Sequence, residues 1–174
     1  MKTCMMALAL TMLYGCAAKE DDAPLRTILL EQLKNSYDRK NWYVSLKYAT
    51  EDLTAEQASW KDSTNNHSIA EIVSHLIFWN ERNLLAFQEK DLPDYNNNNK
   101  ETFTRYTSED WSASLSRLDS IQTSLYEIVE EASPVQLSKW SSDVANISSH
   151  NAYHTGQILF IRKMKGWWED GKGA

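Results

Sequence analysis

The stretch His67-Ser68-Ile69-Ala70-Glu71-Ile72-Val73-Ser74-His75-Leu76-Ile77-Phe78-Trp79 opens with a helix-start signal and continues with helical spacing. Ser68 and Glu71 stand three positions apart, the capping-box arrangement. The serine oxygen accepts from the Glu71 backbone N–H, and the carboxylate accepts from that of Ser68. Ile72, Val73, Leu76 and Trp79 then recur at threes and fours, which predicts a helix running to about Glu89. His75 sits in the middle of it and borders the side that must be buried.

Outward from this helix the same reading predicts three more. Upstream, Pro24 suits a first helical turn. Leu25, Ile28, Leu29, Leu33, Tyr37, Val44 and Tyr48 then form a stripe that predicts one helix to about Ala49. Thr50 to Asn66 is a polar connection, with a short helix expected around Leu53-Thr54-Ala55-Glu56-Gln57-Ala58. Downstream, Asp91-Leu92-Pro93-Asp94 and the tract Asn96 to Asn99 read as an exposed loop. A third helix is expected from about Ser108 to Glu131, with Trp111, Leu115, Leu118, Ile121, Leu125, Ile128 and Val129 on one face. Ser133-Pro134 starts a short helical turn, and a fourth long helix is expected from about Val144 to Lys165, stopped by Gly166. Four amphipathic helices make an all-α, four-helix bundle, with the domain placed over residues 24–168 and a tail over 169–174.

Composition agrees. The chain has 174 residues, enough for one domain with a real core, and only 5 glycines and 3 prolines to break long helices. Lys and Arg total 18 against 24 Asp and Glu, a formal charge of −6. No basic cluster interrupts this balance, which argues against nucleic acid as a partner.

The first residues read as a separate object. Lys2 precedes an almost wholly apolar run, Cys4 to Tyr14, too short to span a bilayer but suited to a signal-peptide core. The run ends in Leu13-Tyr14-Gly15-Cys16, a pattern like a bacterial lipobox. Residues 1–15 are therefore expected to be a lipoprotein signal, Cys16 the lipidated residue, and 16–23 a tether. The expected location is the bacterial cell envelope, on a membrane through that lipid. Both cysteines, Cys4 and Cys16, lie here, so the domain is left without a thiol for a disulfide, a metal or nucleophilic attack. Loss of Lys2 with the signal takes the formal charge from −6 to −7.

The chain holds 4 histidines, and three of them are placed for chemistry. On the last helix, Ile147, His150, His154, Ile158 and Ile161 share one face, so two imidazoles stand one turn apart with Cβ atoms about 6 Å from each other. Such a pair suits a shared metal ion. His75 on a different core-facing stripe supplies a third nitrogen. Core histidines satisfied by hydroxyl and carbonyl groups explain the spacing equally well. His67, just before the Ser68 cap, has a local role at the helix start as its simplest reading, with support of a ligand or substrate contact as the other. Glu71 and Gln157 are further candidates for supporting a ligand from behind, although the capping box already accounts for Glu71. Gly156 reads as a packing glycine that lets a neighbouring helix approach. Tyr153, Trp79 and Trp42 are candidate pocket walls, or simply core.

Two of these segments together resemble the DinB-like family. The stretch His67 to Trp79 is similar to that family's second-helix signature. Asn146-Ile147-Ser148-Ser149-His150-Asn151-Ala152-Tyr153-His154-Thr155-Gly156-Gln157-Ile158 is similar to its last-helix signature, and Leu53 to Ala58 to its connecting segment. The resemblance spans about Leu25 to Lys165. It implies an up-down-down-up four-helix bundle, often a homodimer, holding a divalent transition metal (zinc, nickel or iron) on His75, His150 and His154. Ala70 departs from the pattern, standing where relatives often carry Trp, a change expected to widen the mouth of the site.

The resemblance also implies a small-molecule substrate and an activity of the metal-dependent hydrolase or thiol S-transferase kind. No Ser-His-Asp arrangement, P-loop or HExxH motif offers another route to catalysis. An envelope location, where cytosolic thiols are scarce, favours hydrolysis over thiol transfer. The other reading is a non-catalytic, metal-stabilised envelope lipoprotein that binds a small molecule or a partner.

Overall fold

In the computed structural model, residues 23–104, 110–169 and 171–172 are described. The expected signal, Cys16, nearly all of the tether, and Ser108 at the expected start of the third helix lie outside them.

The described chain is all-helical. Four long helices are α1 (Ala23–Tyr37), α4 (Ile69–Phe87), α5 (Trp111–Glu131) and α6 (Pro134–Met164), and two short ones are α2 (Leu46–Thr50) and α3 (Ala55–Ser59). A 3-10 helix, Asn99–Phe103, interrupts the long loop between α4 and α5. The four long helices form a closed ring in which α1 packs on α5 and α6, and α4 packs on α5 and α6. Arg26 at the start of α1 donates to the Val129 and Glu130 carbonyls at the end of α5, while Tyr37 at the end of α1 reaches Asp119 in the first half of α5. Those two helices are therefore antiparallel. So are α4 and α6, since Phe87 stacks on Trp140 at one end and His75 meets His150 and His154 further along.

Two expected boundaries move, each for a physical reason. The first stripe does not give one helix to Ala49. Helix α1 ends at Tyr37, where the Asp38 and Arg39 N–H groups both close on the Lys34 carbonyl. From Asp38 to Tyr43 every residue is exposed, and Trp42 is 96% exposed. Val44 is a whole heptad from Tyr37, so periodicity carries across a stretch that has no buried side chain to hold it helical. Leu25 and Ile28 are also exposed, and the buried face of α1 is Leu29, Leu33, Ser36 and Tyr37. Ile28 sits about 100° round the helix from Leu29, off that face.

The expected turn at Ser133-Pro134 and the expected helix from Val144 are instead one helix of 31 residues. Ser133 and Gln136 form a capping box with Pro134 in the first turn. Leu137, Trp140, Val144 and Ile147, all buried, carry the core stripe without a break into the histidine region. No glycine or proline intervenes to end the helix. It stops where the sequence placed the stop. Gly166 is left-handed at φ +68, its N–H reaches the Lys163 carbonyl, and the Trp167 N–H reaches that of Arg162. Two other helices start where the sequence places them: Thr54 and Gln57 box the start of α3, and Ser68 and Glu71 that of α4.

Arg162 ties this end of the bundle together. It is 3% exposed, and its guanidinium donates to the carbonyls of Ala49 and Glu51, at the end of α2, and of Trp167 beyond α6. Replacing it with Met keeps most of the stem but strands those acceptors. Arg162→Met is expected to lower unfolding free energy by about 3 kcal/mol, read from urea denaturation at neutral pH.

Candidate metal centre

Helix α4 brings His75 to the core side opposite α6, and α6 brings His150 and His154 to the same place one turn apart. His75 and His154 are buried, and His150 is half-buried. The three rings turn their Nε2 atoms together. His75 Nε2 and His154 Nε2 each lie 3.0 Å from His150 Nε2. One ligand atom from each of the three lies within 4.8 Å of the others, close enough to share one metal ion.

The outer nitrogens explain why these rings face inward. Thr102 gives its hydroxyl proton to the Asn99 carbonyl at 2.7 Å, so at 2.6 Å from His75 its oxygen accepts the Nδ1–H. His154 Nδ1 lies 2.7 Å from Gln157 Oε1, which can only accept. Both rings are thereby held as neutral Nδ1–H tautomers, with Nε2 lone pairs directed inward. His150 Nε2 can satisfy one of those lone pairs with a proton, but not both. At least one close N···N contact is then repulsive unless a cation sits among the nitrogens. Metal–nitrogen bonds of about 2.0–2.1 Å subtend N···N separations of about 2.9–3.4 Å, which the observed spacing matches. The donor set fits a divalent transition metal, with coordination positions left over for another ligand.

The other sequence candidates fall into place around this trio. Gln157 supports His154 directly, and its Nε2 donates to the Tyr153 hydroxyl at 3.3 Å. Glu71 does not reach His75. Its carboxylate accepts from the Ser68 N–H, meets His67 at 3.3 Å and pairs with Lys61 at 2.9 Å, so the capping role is the one it performs. His67 stacks on Phe103 at 3.7 Å, and the opposite face of Phe103 stacks on His75 at 4.0 Å. The phenyl ring thus separates His67 from the metal-facing nitrogens. Gly156 is exposed, and an added Cβ there would meet nothing within 4 Å, so no helix of the described chain packs against it. Ala70 belongs to the core and lines neither cleft beside the histidines.

Thr102 and Phe103 are absent from the sequence reading. They reach the site only because the 3-10 helix folds back over α4, where the Ser74 hydroxyl donates to the Thr102 carbonyl. One signal was available: Phe103 is the first large apolar side chain after the Asn96–Asn99 tract.

Two clefts flank the trio. One, of about 390 Å³, is lined by His75 and His150 together with Trp79, Asn80, Asn83 and Asp143. The other, of about 460 Å³, lies behind Gln157 and His67, is walled by Tyr153, Phe160 and Trp60, and is lined by none of the three histidines. Trp42 borders neither.

A family model described as the DinB superfamily matches residues 39–158. That span runs from the loop after α1 through His150 and His154, and the chain belongs to the DinB superfamily. No curated protein and no solved structure matches it significantly.

Burial, then the charge of the neighbouring imidazoles, holds His75 at about 3 and His150 at about 4, well below the ordinary 6.5. Burial also lowers His154, against the Gln157 hydrogen bond that raises it. Each ring binds its proton more weakly folded than unfolded. Their contribution to stability is therefore complete above pH 6.5 and is lost as pH falls toward the folded values near 4 and 3. Thermal melts of metal-free protein at stepped pH should show the midpoint falling below about pH 6.5. A His75→Gln, His150→Gln double variant should show a shallower fall over the same window.

Proposed function

We propose that this chain is a metal-dependent enzyme of the hydrolase kind, holding one divalent transition metal on the Nε2 atoms of His75, His150 and His154. The observation that carries the reading is the convergence of three Nε2 atoms at the wall of an open cleft, two of them on rings whose outer nitrogens are already tied to Thr102 and Gln157. Zinc, nickel and iron all suit an imidazole set. When bound, such an ion polarises a carbonyl and lowers the pKa of a water or thiol, which supplies the nucleophile that the residues of the domain do not. The chain's own part is to fix the two tautomers, to shield one side of His75 with Phe103, and to present a polar cleft to the substrate. Thiol S-transfer uses the same site and is the alternative reaction.

One observation favours a non-catalytic reading. The carboxylate of the cleft, Asp143, stands two helical turns from His150, and no acid or base makes a hydrogen bond to the inward nitrogens among the described residues. In that case the ion stabilises the bundle and the cleft binds without turnover.

Metal analysis separates these readings from a metal-free bundle. Purified protein should carry about one equivalent of divalent metal, and a raised melting temperature that the His75→Ala, His150→Ala, His154→Ala triple variant lacks. No copurified metal, and no thermal shift on adding zinc or nickel, would remove the site. Loss of turnover toward ester, amide or thiol-transfer substrates in the triple variant, with its helix content kept, would establish catalysis.

The domain works at the bacterial envelope, held to a membrane by a lipid on Cys16. The apolar run before Cys16 supports this. Cys16→Ala should shift the protein from the membrane to the soluble fraction; unchanged fractionation would defeat the anchor.

A further inference from the structure

The cleft lined by His75 and His150 has a chemistry of its own beyond the three histidines. Among the described residues its lining includes Trp79, Asn80, Asn83, Asn99, Asp143 and Asn146, with one carboxylate and no lysine or arginine. Beside the metal, an anionic substituent would find no positive side chain in this wall. Asp143 is exposed and makes no ion pair among the described residues. It lies seven positions before His150 on α6, so the two share a helix face about 10.5 Å apart along the axis.

Asn80 adds an independent sign that the cleft expects a polar, hydrogen-bonding occupant. It is 1% exposed, and its Nδ2 donates to Asn151 Oδ1 at 2.9 Å across α4 and α6. Its own carbonyl oxygen has no partner within the described residues. A buried amide oxygen left without a donor costs free energy, and a donor supplied by a bound molecule recovers it. Turning both amides over leaves the Asn80 amino group unpaired instead of its oxygen, so one buried polar atom of Asn80 lacks a partner in either orientation.

Resting on the metal reading above, we infer that this cleft takes a small polar substrate carrying a protonated amine. Its reacting group lies at the histidine cluster and its ammonium at Asp143, with the polar stem passing Asn80 and Asn146. The wall selects against substrates that end in a carboxylate or phosphate. Selection comes from one charge of the right sign at one end of the cleft and none of the opposite sign along it.

The probes are acetohydroxamate, which tests the metal alone, 6-aminohexanohydroxamate, and its N-acetylated form, each titrated into the zinc-loaded full chain by calorimetry. The amine-tailed probe is expected to bind about threefold to fivefold tighter than the N-acetylated one, the advantage of one solvent-exposed ion pair. High salt should erase that preference, and so should Asp143→Asn. Equal binding of the two tailed probes, or a preference unmoved by Asp143→Asn, would overturn the inference while leaving the metal site standing. Failure of acetohydroxamate to bind a chain that does hold zinc would overturn the inference through the cleft. Failure of the chain to hold zinc would overturn it together with the metal reading.

Discussion

Imidazole lone pairs that face one another at close range repel, and the antiparallel pair α4 and α6 aims those of His75 and His154 at His150 Nε2, 3.0 Å from each. That nitrogen can meet only one of them with a proton. The rings cannot escape by protonating, because burial penalises the charge on each. Two cannot escape by rotating either, since Thr102 and Gln157 hold their outer nitrogens. The packing around them bears this constraint. Ile72, Val73 and Leu76 on α4, with Ile147 and Ile158 on α6, are buried and fix the two backbones against each other. A site of this kind is organised before its ion arrives, and the ion relieves a conflict that the fold has already built.

The surroundings divide the work. On one side Phe103 lies between His67 and His75 as a stacked apolar plate, removing His67 from the inward nitrogens and shielding one face of His75 from solvent. On another, the cleft beside His75 and His150 is rich in amides and carries a single carboxylate. The larger cleft behind Gln157 is more aromatic and reaches His154 through that glutamine and the ring of Tyr153. The end of the bundle far along α6 is closed by different means. There Arg162 spends its donors on three backbone carbonyls of α2 and the segment after α6, so a buried cation ties those elements to the end of α6.

Much of the fold was legible in the sequence because helix starts are local chemistry. Ser68 with Glu71, and Thr54 with Gln57, announce their capping boxes within four residues, and Gly166 announces its stop in one. What failed was inference from periodicity where packing decides. The heptad step from Tyr37 to Val44 looked helical and is a polar, exposed crossing. The join between Ser133 and Val144 looked like a break and is unbroken helix, because Leu137 and Trp140 find core to bury against. Gly156 was read as a close approach, yet α6 turns that face outward into a cleft.

By itself the sequence determined the class of the fold and the three histidines, since a four-residue step on one helix and a stripe position on another are properties of the chain alone. It could not determine that Nε2 rather than Nδ1 faces the centre. That choice is made by Thr102, 27 residues from His75 and brought to it by a 3-10 helix folding back over α4. Nor could it show that Glu71 serves the cap and His67 the Phe103 ring, or that Asp143 and His150 open onto one cleft. Hydrogen-bond partners and cleft walls are set by which surfaces meet, and surfaces distant in sequence meet only when the bundle closes.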